Sequence, residues 1–125
     1  MKKKILLVDD NKGFVEILKM RLEASKYSVV ITSDAKEVLP LAEKGKPDII
    51  ILDIVMPDMN GYEVCEALKH GKTTSHIPII LLSGKDLEPK GIDQRCYKLG
   101  IEHFFTKPPD TNELLAKIKD LVSDK

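Results

Sequence analysis

Two short runs in this 125-residue chain are apolar at every position, and each ends in acid. Ile5-Leu6-Leu7-Val8 runs into Asp9-Asp10, and Ile49-Ile50-Ile51-Leu52 runs into Asp53. A strand apolar at consecutive positions buries both faces, the mark of a parallel sheet covered by helices on each side. Ligands bind such open sheets at the carboxyl edge, where the strand order reverses. Adjacent strands ending in aspartate would therefore build one acidic pocket at that edge.

The rest of the chain alternates between strand-like and helix-like patterns. Phe14, Ile17, Leu18 and Leu22 recur at helical spacing and predict one buried face after the first strand. Ser28 to Thr32 is a β-branched run and predicts a second strand. Asp34, with Glu37 three residues on, gives a capping-box-like start to a helix ending near Gly45. Lys46-Pro47-Asp48 breaks the chain before the third strand. Tyr62 to about His70 reads as helix, with Val64 and Leu68 inward. Pro78 opens a fourth strand, Ile79 to Leu82, which delivers Ser83 to the same edge as the acids. Ile92, Cys96 and Leu99 predict a further helix, with Gly91 blurring its start. His103 to Thr106 is a short fifth strand ending at Lys107. Asp110 and Glu113 frame a last helix whose core stripe is Leu114, Leu115, Ile118, Leu121 and Val122. Five strands alternating with five helices imply parallel pairing, right-handed crossovers and a three-layer sandwich. The expected fold class is thus α/β, a single doubly wound (βα)5 domain over residues 1–125.

Composition narrows the functional classes. Lys plus Arg and Asp plus Glu each number 20, so no basic excess points to nucleic acid or an anionic membrane. The apolar runs are too short to span a bilayer, and Met1-Lys2-Lys3-Lys4 is followed by too few apolar residues for a signal peptide. A soluble, cytoplasmic chain is expected. Cys65 and Cys96 form no CxxC motif and are expected as buried thiols. His70, His76 and His103 lack metal-ligand spacing and are expected as surface or packing residues. Lys12 and Lys85 read as solvated loop charges, and Asp58 with Asn60-Gly61 reads as turn chemistry.

The strand ends gather Asp9, Asp10, Asp53, Ser83 and Lys107. Carboxylates about 4–5 Å apart repel by roughly 3–4 kcal/mol per pair at an effective dielectric of ~20, so a cation or a proton must relieve them. Hard oxygen ligands in small number favour Mg²⁺, which readily shares its shell with a phosphate. An ionised aspartate can attack phosphorus to give an aspartyl phosphate, with a lysine and the metal neutralising the equatorial oxygens. Taken singly, Asp53 is a turn-starting acid and Asp9 or Asp10 a helix cap; the set in register is harder to explain structurally. Neither GxGxxG nor GxxxxGK[ST] follows the first strand, and the loop Asp9-Asp10-Asn11-Lys12-Gly13 would repel a bare phosphate, which disfavours dinucleotide or flavin binding.

Four segments in order carry a family resemblance: residues 5–11 (ILLVDDN), 51–61 (ILDIVMPDMNG), 81–85 (LLSGK) and 104–108 (FFTKP). Together they resemble the receiver domain of two-component response regulators, of the chemotaxis-receiver kind, over the whole chain. The resemblance implies a flavodoxin-like parallel sheet in order 2-1-3-4-5. It implies Asp53 as phosphoacceptor, and Asp9, Asp10, Asp53 and the backbone carbonyl of Val55 as ligands of Mg²⁺. It implies Ser83 as switch hydroxyl, Lys107 as the lysine pairing with the phosphoryl group, and Phe104 as switch aromatic. It also implies a cis Lys107-Pro108 bond aiming Lys107 into the pocket. The chain departs from the family pattern at Gly84, where alanine is frequent, and at Pro109, where an aromatic is frequent. Phe104 lacks a tyrosine hydroxyl, so burial alone would hold it inward. Val55 and Lys85 sit near positions that tune phosphoryl lifetime in the family.

The expected function is that of a phosphoacceptor, not a conventional turnover enzyme. A sensor histidine kinase or histidine phosphotransfer protein would donate the phosphoryl group to Asp53. The surface of the fourth helix, fifth strand and fifth helix would then change for a downstream protein target, as monomer or phosphorylation-dependent homodimer. No direct contact with nucleic acid or membrane is expected. Two alternatives compete: a phosphorylation-independent binding module, and a metal-dependent phosphatase. The phosphatase reading expects a second acid two residues after the nucleophile, where this chain has Val55. A stand-alone protein and the front of a longer regulator both fit the sequence.

Overall fold

The structure is a computed structural model that describes residues 2–56, 59–84, 98, 100–101 and 103–122. Its central sheet is five-stranded: β1 (Lys4–Val8), β2 (Ser28–Thr32), β3 (Ile49–Asp53), β6 (Ile79–Ser83) and β7 (His103–Thr106). The spatial order is β2-β1-β3-β6-β7, every neighbouring pair parallel. Counting only these five strands, this is the expected order 2-1-3-4-5. A small hairpin, β4 (Val55–Met56) with β5 (Met59–Asn60), was not anticipated; two-residue strands carry no periodic signal. The described helices are α1 (Lys12–Ala24), α2 (Ala35–Gly45), α3 (Gly61–His70) and α4 (Thr111–Val122). The helix expected around Ile92, Cys96 and Leu99 lies outside the described residues, as do Asp58, Lys85 and the tail after Val122.

Strand alternation divides the core in two. Leu6, Val8, Ile50, Leu52, Ile79 and Leu81 point to one face, where Val38, Ala42, Tyr62, Cys65 and Leu68 of α2 and α3 cover them. Ile5, Leu7, Ile49, Ile51, Ile80 and Leu82 point to the other, against Val15, Leu18 and Leu22 of α1 and Leu114, Ile118 and Val122 of α4. Side chains alternate across a strand, so an unbroken apolar run is what two covered faces require. All five residues of β3 and all five of β6 are buried.

One predicted core position is overturned. Ile17 is 57% exposed, and α1 instead buries Val15, Leu18 and Leu22. The apolar residues of this helix form two overlapping stripes, and only the packed sheet selects between them. Three of the four described helix starts are built by side chains. Asn11 Oδ1 accepts from Phe14 N–H at 3.0 Å, Asp34 Oδ1 from Lys36 N–H at 2.9 Å and Asp110 Oδ1 from Glu113 N–H at 3.0 Å. The Asp34 N–H itself bonds Thr32 Oγ1 at 3.1 Å, which takes the place of the reciprocal half of a capping box. Helix α2 continues through Pro40 and closes on Lys46 in the left-handed region at φ 48°. No helix among the described residues is long and apolar enough to cross a membrane.

Candidate phosphoacceptor and metal site

Parallel register places the ends of the strands side by side. Val8 pairs with Leu52, so Asp9 follows β1 beside the point where Asp53 closes β3. Asp53 pairs with Leu82, which puts Ser83 one residue further along β6. Ser83 pairs with Thr106, and the Lys107 N–H donates to Ser83 O at 2.6 Å. The Ile54 N–H donates to Leu82 O at 2.9 Å, fixing the chain just past Asp53. Main-chain bonds and strand pairing thus fix the backbone at Asp9, Asp53, Ser83 and Lys107 independently of their side chains. Asp9, Asp53 and Ser83 are buried, whereas Asp10 is exposed.

Ligand atoms of Asp9, Asp10 and Asp53 all lie within 4.8 Å of one another, as expected for one acidic pocket. Lys107 reaches into it. Its Nζ stands 2.8 Å from Asp9 Oδ2 and 3.3 Å from Asp53 Oδ2. It also donates a hydrogen bond to Asp9 Oδ1 at 3.0 Å. Burial disfavours the ammonium, but the hydrogen bond and charge of Asp9, reinforced by Asp53, outweigh it and hold the pKa above the ordinary lysine value. The Lys107-Pro108 bond is cis, as the resemblance implied.

The donor set fits a hard divalent cation. Asp9 Oδ1 is occupied by the Asn11 N–H at 2.9 Å and by Lys107. Asp9 Oδ2 is buried and accepts no hydrogen bond among the described residues, although the ammonium lies close. A buried carboxylate oxygen with that vacant lone pair, beside two more carboxylates, suits a small cation bound through oxygen. Directly after this set, the hairpin carrying Val55 is held by Gly61. The Gly61 N–H donates to Ile54 O at 2.9 Å, and a Cβ on Gly61 would lie 2.6 Å from Ile54 Cα.

Other predicted residues separate cleanly from the pocket. Phe104 is half-buried and packs against the core cluster under α2 and α3. His70 is exposed, 3.9 Å from Glu66 on the same helix, and His76 is exposed. His103 is half-buried, and Cys65 is a buried thiol. Two contributors were missed. Asn11 caps α1 in place of Asp9 or Asp10, a role readable from its position before the helical run. Phe14 places its ring beneath Lys107, with Nζ 4.7 Å from the centroid, and no local pattern announces that contact.

A family model described as response regulator receiver domain matches residues 5–119. The alkaline phosphatase synthesis transcriptional regulatory protein PhoP of Bacillus subtilis is 39% identical over 98% of the chain. The chain spans about half the length of that relative, 49%. The receiver domain of a signal transduction histidine kinase from Syntrophus aciditrophicus is 33% identical, with TM-score 0.86, over 98% of this chain and 91% of that one. The receiver domain of a sensor histidine kinase from Pseudomonas aeruginosa PAO1, solved with a magnesium ion in its active-site cleft, superposes at TM-score 0.85. It covers 98% of this chain and 99% of that one at 24% identity, which speaks for the fold.

Proposed function

This chain belongs to the response regulator receiver family, and on that premise we propose that residues 1–125 form a receiver whose Asp53 accepts a phosphoryl group from a phosphohistidine donor. The observation that carries the reading is the pocket itself, in which three carboxylates lie within 4.8 Å of one another and one ammonium pairs with two of them. A purely structural salt bridge needs no third acid, and Lys107 pairs with Asp9 and Asp53 while the exposed Asp10 carboxylate stands beside them.

Asp53 is the nucleophile. Its carboxylate oxygen forms the new O–P bond as the P–N bond of the donor breaks and the imidazole nitrogen leaves with the bonding pair. Asp9, Asp10, Asp53 and the Val55 carbonyl would hold Mg²⁺, which supplies positive charge beside the phosphoryl oxygens. Lys107 already touches Asp53, so its ammonium needs only a short reorientation to pair with a phosphoryl oxygen. Ser83, buried at the end of β6, supplies a hydroxyl to another. Water attack on phosphorus later returns Asp53 to its carboxylate, so the domain contributes to its own reset without turning over as a conventional enzyme.

The phosphoryl group carries about −1.5 to −2 charge where the Asp53 carboxylate carried a single negative charge, and its additional acceptor oxygens draw Ser83 and Lys107 inward. Phe104, half-buried beside Ser83's strand, fills the space that the hydroxyl leaves. The face of β7 and α4 then differs between the two states for a protein target, and the population shift is limited by the difference in phosphoryl contacts. The partners in this reading are a histidine kinase or phosphotransfer protein upstream and a protein target or attached output domain downstream.

The test is intact-mass spectrometry after incubation with acetyl phosphate or phosphoramidate, with and without Mg²⁺, alongside Asp53→Asn. One Mg²⁺-dependent phosphoryl addition, absent in the variant, is the expected result. Label on Asp53→Asn at the same site would overturn the nucleophile assignment. No label from small donors or from a phosphohistidine protein would favour a phosphorylation-independent binding module.

A further inference from the structure

We propose that Phe14 is a positioning residue for Lys107, its ring face holding the ammonium between Asp9 and Asp53. The proposal rests on the phosphoacceptor reading and concerns a residue outside the acid, hydroxyl and lysine set.

Phe14 is well placed for the role. It sits in the first turn of α1, and its N–H is bound by the Asn11 side chain, so its backbone is fixed relative to the loop that carries Asp9 and Asp10. Its side chain is half-buried and packs against the core cluster under α1 and α4, which limits the ring's freedom. Lys107 Nζ lies 4.7 Å from the ring centroid, inside the range in which a cation is attracted by the negative face of an aromatic ring. The same nitrogen lies 2.8 Å from Asp9 Oδ2 and 3.3 Å from Asp53 Oδ2. Two carboxylates and a ring therefore surround an ammonium that carries three N–H groups.

The ring does what a third carboxylate or a water cannot. It attracts the cation without accepting a conventional hydrogen bond, so it leaves the N–H groups to the carboxylates and the incoming phosphoryl oxygens. It also covers one side of the ammonium with carbon. The lysine is then held close to its working position while staying able to turn between Asp9 and a phosphoryl group on Asp53. An aliphatic residue of similar size would keep the packing but lose the attraction.

That difference defines the test. Phosphorylation by phosphoramidate is followed at saturating Mg²⁺ over a range of donor concentrations for wild type, Phe14→Leu and Phe14→Tyr. Phe14→Leu is expected to lower the limiting rate about two- to fivefold, the size of a cation–π contact at a partly exposed site, with donor half-saturation unchanged. Phe14→Tyr keeps the ring face and is expected to restore the rate. Equal limiting rates for wild type and Phe14→Leu would overturn the proposal, and so would equal losses in both variants, which would mean packing alone. Wild-type protein supplies a check that needs no variant to fold: the Lys107 ε-methylene protons are expected upfield of an ordinary lysine in NMR spectra. An ordinary shift there would also overturn the proposal. A wild type that takes no phosphoryl group would instead defeat the phosphoacceptor reading, whatever the ε-methylene shift.

Discussion

Lys107 is bound more closely to Asp9 than to Asp53: its ammonium stands 2.8 Å from the first carboxylate and 3.3 Å from the second. The lysine thus balances the buried acid at the end of β1 as well as the proposed nucleophile, and its loss is a matter of stability as well as chemistry.

Replacing it tests both. Lys107→Met leaves Asp9 and Asp53 buried without their cation. It should lower stability toward the lower end of the ~3–5 kcal/mol typical of a broken buried pair, since 18% of the lysine side chain is exposed. Urea unfolding measures this. Because the folded pKa of Lys107 is raised, its contribution is complete below the unfolded lysine value and is lost as pH rises through the folded one. The gap between wild type and Lys107→Met should stay flat through neutral pH and close only above about pH 10.4.

Metal linkage isolates Asp10. This carboxylate is exposed but shares the pocket with Asp9 and Asp53, so Asp10→Asn without metal should raise stability by relieving their repulsion, by no more than about 1 kcal/mol because solvent screens it. Wild type should gain about 2.7 kcal/mol when Mg²⁺ is present at 100 times its dissociation constant. Asp10→Asn should lose most of that gain at the same Mg²⁺ concentration. Thermal unfolding with Mg²⁺ and with EDTA reads the difference, and an undiminished gain in the variant would remove Asp10 from the ligand set.

Gly61 is a steric requirement. A Cβ there would sit 2.6 Å from Ile54 Cα and 2.8 Å from Ile54 O, both backbone atoms that cannot swing away. Gly61→Ala should cost about 1–3 kcal/mol, the usual range for overpacking. It should also weaken Mg²⁺ binding by isothermal calorimetry, because the displaced segment runs from Asp53 to Val55. Unchanged affinity would argue against the Val55 carbonyl as a ligand.

Asn11 joins the helix start to the pocket. Its Oδ1 caps Phe14 N–H, and its own N–H bonds Asp9 Oδ1. Asn11→Ala should cost about 1 kcal/mol in urea unfolding, a typical cap loss. Asn11→Asp or Asn11→Ser retains a capping oxygen and should cost less.

Most of the fold was legible because its central strands are buried on both faces. Ile5 to Val8 and Ile49 to Leu52 have no polar side to misplace, so their type follows from the residues alone, while their order in the sheet follows from the family resemblance. The candidate site was legible because Asp9, Asp53 and Ser83 stand in register at or just past the ends of such runs, a set that turn or cap chemistry explains only one residue at a time. Helix α1 was less clear. Its sequence offers Phe14, Ile17 and Met20 as well as Val15, Leu18 and Leu22, and the choice depends on the sheet that the helix packs against. The approach of Phe14 to Lys107 joins residues from opposite ends of the chain, and no local pattern records a contact of that range.

The hydrogen bonds from Ile54 to Leu82 and from Lys107 to Ser83 have one more consequence. They tie the backbone beside Asp53 and Ser83 into the hydrogen-bonded sheet, whereas the exposed faces of the helices are not tied into it. On the phosphoacceptor reading, reaction and recognition are thereby separable inheritances. Duplicated copies of such a gene can exchange one partner for another by altering those exposed faces, and each keeps the acidic pocket throughout.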